Sequence, residues 1–346
     1  MIFVEEKILF GTYTSKASEG IYSGTFDPVT AKVHDIKNIA TLDNPTYLTT
    51  DDNGGLYSII KRGNEAGVAS YVYDANSGTA QLKSTVLASG PAPCYVAYDA
   101  TKHLLFSANY HTADIKLYRV AADHTLTLCD TLHRCGHGPR PEQQSAHLHY
   151  VDLAPDGNLI AVDLGSDQLL TLHVADDRLI LDHVTDLPAG FGPRHIVFKD
   201  EATAYVVGEL SSQVALLHYS NGRFTIVATY ATIPASWQAH NGAAAIRISA
   251  DKKFLYVSNR GYNSIAVFAI TANNQLHLIQ NANTAGDFPR DFALDSTGKF
   301  LLVAHQNSDN LTLFRRDPAT GLLRQRLWHD TTLPQGVCVH FIGGNN

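Results

Sequence analysis

The sequence predicts an all-β fold, a seven-bladed β-propeller with four antiparallel strands per blade, and three observations predict it. A β-rich phrase recurs seven times at near-constant spacing, no stretch carries a long helical period, and the two ends of the chain supply complementary parts of one unit.

The recurring phrase is an apolar run, an Asp/Gly-rich turn and a second β-rich run that ends on a small or polar residue. The second runs are Ile8–Thr12, Leu56–Ile60, Leu105–Asn109, Leu159–Asp163, Ala204–Gly208, Leu255–Asn259 and Leu301–His305. Their ends are spaced by 48, 49, 54, 45, 51 and 46 residues, the repeat length of a propeller blade. Two further strand-like runs follow in each unit, as in Ser264–Ile270 and Gln275–Ile279. The turns between runs, such as Asp156-Gly157 and Asn273-Asn274, carry the residues tight turns favour. Repeating small antiparallel sheets radially leaves only short, protected edges.

Closure follows from the termini. Pro334–Phe341 has the character of a first strand with no second strand after it, while Ile8–Thr12 is a second strand with no first strand before it. The two complete one blade, and residues 1–346 are expected to form a single propeller domain.

Composition narrows the function. The net charge is −7 with only 26 Lys and Arg, which argues against non-specific nucleic-acid binding. No run approaches the roughly 18 apolar residues of a membrane span. Met1–Lys7 lacks a basic leader region and contains Glu5-Glu6, so a cytoplasmic location is expected. Cys94, Cys129, Cys135 and Cys338 form no CxxC pair and are expected to be reduced thiols.

Antiparallel pairing places the start of each inner strand beside the end of the second strand, so both sets of residues face one mouth of the propeller. The aligned inner-strand starts are Thr46, Cys94, His149, Arg194, Ala244, Arg290 and Gln335. The residues just past the second strands are Tyr13, Lys61, Tyr110, Leu164, Glu209, Arg260 and Gln306. An acidic protein thus gathers three arginines at one mouth, with Glu209 the single carboxylate among these fourteen positions. Guanidinium forks suit carboxylate or phosphate oxygens, and His149 and Glu209 are candidates for proton transfer. The implied partner is a small anionic substrate, unless the arginines pair with nearby acids such as Asp163 or Asp291.

Seven phrases, in order, carry a family resemblance: Gly11-Thr12-Tyr13-Thr14, His147-Leu148-His149, Ala161–Asp167, Gly192-Pro193-Arg194-His195, Gly208–Ser212, Ser258–Gly261 and Phe288–Asp291. Across essentially its whole length the chain resembles the seven-bladed lactonase family of bacterial 6-phosphogluconolactonases and fungal carboxymuconate lactonizing enzymes. Leu148 departs from the Pro that relatives often carry. The resemblance implies a lactone hydrolase acting on 6-phosphogluconolactone, within glucose metabolism and the pentose phosphate pathway. It implies His149, Arg194, Glu209 and Arg260 as catalytic residues and no metal or other cofactor. Arg290, Tyr13, His147 and Tyr110 are the candidate substrate contacts.

Lactone hydrolysis needs an activated water, a stabilised oxyanion and a proton for the departing alkoxide. Glu209 or His149 is expected to act as base, Arg194 to stabilise the oxyanion, and Arg260 with Arg290 to hold the phosphate. His147 and His149, two apart on a strand, could share a zinc ion, but no third ligand motif accompanies them. No Gly-x-Ser-x-Gly elbow or phosphate-binding loop occurs. Two alternatives remain open: a carboxymuconate cycloisomerase, which needs the same anion recognition, and a propeller that only binds proteins. The second commonly carries repeating Trp-Asp units, whereas neither Trp237 nor Trp328 precedes Asp.

Overall fold

The second strand of each sheet is dominated by apolar residues because both of its faces are largely covered. Leu104–Asn109, Thr203–Gly208, Phe254–Arg260 and Phe300–His305 are buried at every residue. Outer strands alternate instead, as in Arg178–Asp186 and Arg223–Ala231, with one face toward solvent. The computed structural model describes residues 5–327 and 332–342. Met1–Val4, part of the segment read above for a leader, and Trp328 lie outside the described residues.

Among the described residues the chain forms seven four-stranded sheets, the blades of a seven-bladed β-propeller. In six sheets four consecutive strands pair in chain order. The seventh has the order Gly336–Phe341, Glu6–Thr12, Gly20–Asp27, Lys32–Thr41. The C-terminal strand pairs antiparallel with the first, from Ile8 opposite Phe341 to Thr12 opposite Gly336, so one sheet is shared by the two ends as the sequence predicts. All seven expected second strands are present. Lys61 and Arg260, expected just past theirs, instead lie inside Gly55–Arg62 and at the end of Phe254–Arg260, because those pairings run further than the apolar pattern shows. The helical content among the described residues is one 3₁₀ turn at Pro141–Gln143.

The described residues pack as two compact units, one falling within 1–47, 73–80 and 232–346, the other of residues 48–72 and 81–231. In the first, the shared sheet and its neighbour meet through a buried cluster that includes Phe26, Phe300 and Phe341. Phe26 packs edge-on against both partners, at ring-centre distances of 5.1 and 5.9 Å. Each such side chain contributes about 1.5–3 kcal/mol on burial. The second unit holds the sheets spanning 95–133, 148–186 and 193–231.

His305 ends the second strand of its sheet and is fully buried. Its Nδ1 lies 3.0 Å from the Asn310 carbonyl, which can only accept, so this nitrogen carries the proton. Burial pulls the imidazole down to about 4 from its ordinary 6.5. Gly286 packs on the ring so closely that a Cβ there would lie 2.4 Å from Cγ and Cδ2. Between those two pKa values the unfolded chain binds a proton that the folded chain does not. Stability is therefore complete above pH 6.5 and is lost as pH falls toward about 4. Thermal unfolding across this window is expected to show a shallower pH dependence in His305→Asn, by up to about 1.4 kcal/mol per pH unit. An unchanged slope would remove His305 from the acid response.

Candidate active site

A local irregularity places the key side chains. Where Leu148–Leu153 pairs with Leu159–Asp163, Leu148 faces Asp163 and Tyr150 faces Val162, leaving His149 as an extra residue. The same slip occurs between Pro193 and Ile196 at Arg194 and His195, between Ala243 and Ile246, and between Pro289 and Asp291 at Arg290. A bulge of this kind bends the strand and re-aims its side chains. The inner-strand positions aligned from the sequence thus coincide with bulges in four sheets.

In the unit of residues 48–72 and 81–231 the bulges bring several predicted residues together. Arg194 Nε makes an ion pair with Glu209 Oε2 at 3.0 Å. The arginine side chain is 4% exposed and the glutamate 22%, so the carboxylate is the more accessible partner. The backbone enforces the pairing. Glu209 N donates to the Gly192 carbonyl at 2.7 Å, which sets Glu209 beside the start of Pro193–Phe198. Gly192 has φ +62°, and a Cβ there would lie 2.4 Å from Leu210 Cγ, so both conformation and space demand glycine.

Asp167 buttresses the approach to Arg194. Its carboxylate accepts from Gly190 N at 2.6 Å, Gly192 N at 2.7 Å and Gln143 Nε2 at 2.8 Å. Arg140 Nε donates to the Gly190 carbonyl at 2.7 Å from the other side. Asp163, considered above as a partner for the arginines, accepts at Oδ1 from the backbone N–H of Gly165 and Ser166 in its own turn and from that of His147, just before Leu148–Leu153.

The histidines form a second group in the same unit. The His147 ring stacks on Tyr110 at 4.1 Å and 3°. Its Nδ1 lies 2.7 Å from the Tyr110 carbonyl, so Nδ1 donates and a neutral ring presents its lone pair at Nε2. His149 is buried, edge-on to Tyr110 at 6.0 Å and 5.2 Å from the His195 ring. Cys94 Sγ lies 3.5–3.6 Å from the carbonyls of Ala108, Leu148 and His149, packed against the strand that carries His149. Among the described residues no group of three His, Cys, Asp or Glu side chains is arranged to hold a metal.

His195 is the residue that sequence reasoning passed over. Strand alternation puts the neighbour of Arg194 on the opposite face, yet the bulge turns both to one side, with Arg194 Nη1 3.4 Å from His195 Nε2. The signal was present in the Gly192-Pro193-Arg194-His195 phrase, but aligning the inner-strand starts singles out one residue per blade, here the arginine.

The remaining predicted residues belong to the other unit. Arg260 is buried, with Nε 3.1 Å from the Gly242 carbonyl, Nη2 3.3 Å from that of Ala243, and its guanidinium over the Phe288 ring. Arg290 is partly exposed, with Nη1 3.5 Å from Gln306 Oε1 and its guanidinium 5.7 Å above the centre of the Tyr13 ring. Asp291 accepts from Arg247 Nη2 at 3.1 Å and from Val339 N at 2.9 Å.

Comparison with known proteins agrees with this architecture. A family described as lactonase, 7-bladed beta-propeller, matches residues 7–341. The 6-phosphogluconolactonase of Bacillus subtilis is 38% identical over 340 residues, covering 96% of this chain and 97% of that protein. A protein of Lactobacillus plantarum with a crystal structure is 49% identical, with a TM-score of 0.94 over 98% of this chain and 99% of that one. The periplasmic gluconolactonase of Pseudomonas aeruginosa is 33% identical, with a TM-score of 0.92 over 98% of this chain and 99% of that one. On sequence and on structure, the chain belongs to the lactonase family of seven-bladed β-propellers.

Proposed function

We propose that this protein hydrolyses 6-phosphogluconolactone to 6-phosphogluconate, and the observation that carries the reading is the Arg194–Glu209 pair. A base and a fixed cation side by side are what ester hydrolysis by water requires: one takes the proton of the attacking water, the other receives the charge on the carbonyl oxygen. Water oxygen bonds to the acyl carbon while Glu209 takes its proton. Arg194 stabilises the tetrahedral oxyanion, the ring C–O bond then breaks, and the proton passes to the departing ring oxygen. His149 and His147 are assigned to substrate orientation and proton exchange beside this pair, with Tyr110 holding the His147 ring.

The phosphate is the finer part of the proposal. It is supported by the 38% identity to a protein named 6-phosphogluconolactonase and by arginines at aligned repeat positions. Of the two arginines expected to bind phosphate, Arg260 has two nitrogens on backbone carbonyls, whereas Arg290 makes one long approach to Gln306. Arg290 is therefore the assigned phosphate ligand. A phosphorylated sugar is too polar to leave the compartment where it forms, which accords with action in the cytoplasm. No described helix is long and apolar enough to cross a membrane.

Acid release from 6-phosphogluconolactone is the direct test. Glu209→Gln is expected to lower kcat by about 10²–10⁴-fold, the usual contribution of a positioned base. Hydrolysis at the wild-type rate by this variant would take Glu209 out of the mechanism. Arg290→Ala is expected to raise KM for the phosphorylated lactone by about 10–100-fold, the loss of one charge-assisted contact, while leaving hydrolysis of unphosphorylated gluconolactone unaffected. Equal effects on both lactones would move the phosphate elsewhere. Because the proposed steps use side chains alone, the activity should persist in excess chelator; its abolition there would overturn them.

A further inference from the structure

We propose that His195 is a positioning residue for Arg194, a neutral imidazole whose Nε2 accepts a hydrogen bond from Arg194 Nη1 and so fixes the plane of the guanidinium. The inference rests on the role given above to Arg194 in stabilising the oxyanion.

Chemistry dictates the direction of the bond. Guanidinium nitrogens only donate, so at the observed 3.4 Å the imidazole Nε2 must present its lone pair. A neutral ring with its lone pair at Nε2 carries its proton at Nδ1. Protonating Nε2 would remove the acceptor and set an imidazolium against a guanidinium in a site where both residues are 3% exposed. Like charges so close and so poorly solvated repel strongly.

The ring is itself held in place. Tyr95 meets it edge-on at 5.2 Å, Tyr150 lies at 5.5 Å and His149 at 5.2 Å. Tyr95 and Tyr150 also pack on one another at 4.6 Å. These aromatic side chains come from the inner strands Tyr95–Asp99 and Leu148–Leu153 and leave the imidazole little freedom to turn. Arg194 is thus met at two edges, Nε by the ion pair with Glu209 and Nη1 by His195. A guanidinium held only at Nε can swing about that contact, whereas one held at both edges has a defined plane. Oxyanion stabilisation depends on donors aimed in advance at where charge develops.

The test combines a spectroscopic and a kinetic readout. In the 15N spectrum of the wild-type protein at neutral pH, the imidazole resonances absent from His195→Gln should report Nδ1 protonated and Nε2 unprotonated. The Arg194 Nη protons should exchange more slowly in the wild type than in His195→Leu. In acid-release assays His195→Leu, which has no acceptor, should lower kcat by about 10²–10³-fold with little change in KM, as for an oxyanion donor that loses its aim. His195→Gln offers an amide oxygen in place of Nε2 and should recover most of that loss. A protonated Nε2, or a His195→Leu variant with wild-type kcat, would overturn the proposal. If the wild type hydrolyses no lactone, the functional reading fails, yet the 15N spectrum still decides whether His195 accepts from Arg194. With the His195 ring resonances assigned through their couplings to the backbone of the wild-type chain, the same spectrum decides it if either variant does not fold.

Discussion

Everything at the candidate site depends on one constraint, the antiparallel register between an inner strand and the second strand of its sheet. A regular ladder would send Arg194 and His195 to opposite faces. One mismatch, two residues against one between Pro193–Gly208 and Ile196–Val206, turns both to the same side. The corresponding slip at His149 works in the same way, and its ring comes within 5.2 Å of His195. The ladder also sets Glu209 by its backbone, through the bond from Glu209 N to the Gly192 carbonyl. The ion pair is thus a consequence of register, and the side chains meet because the main chain has already placed them.

Scaffold and site were legible in the sequence to different degrees, for physical reasons. Second strands buried on both faces must be largely apolar, so Leu104–Asn109 or Phe300–His305 stands out as a run that recurs at a regular period. The shared sheet was readable because a first strand and a second strand without partners stood at opposite ends of the chain. Boundaries were less legible. Lys61 and Arg260 are polar, yet the ladder continues through them, since hydrogen bonding persists where the apolar pattern stops.

The site hides in a different way. Periodicity indicates which positions align but carries no information about a bulge, so Arg194 could be found and His195 could not. Nor does it give pairings: Arg194 and Glu209 read as separate recruits, one for the oxyanion and one for water, and the structure joins them in one ion pair. The acids considered as alternatives were visible too, but their roles were not. Asp163 accepts at Oδ1 from two backbone N–H groups of its own turn and from that of His147, a local demand that charge counting does not register.

Alignment of repeats therefore specifies an address and leaves the occupant open. Ala244 stands at the address that His149 and Arg194 fill in other sheets, and its bulge is present even so. With no long side chain there, the guanidinium of Arg260, from the adjoining second strand, lies over the backbone carbonyls of Gly242 and Ala243. A Cβ on Gly242 would come within 3.0 Å of that guanidinium, so the glycine and the small alanines together make its seat. The repeat supplies a bulge at a fixed height in the sheet. Which strand delivers the functional group is then decided by the size of the residues around it, and that is a matter of local volume rather than of period.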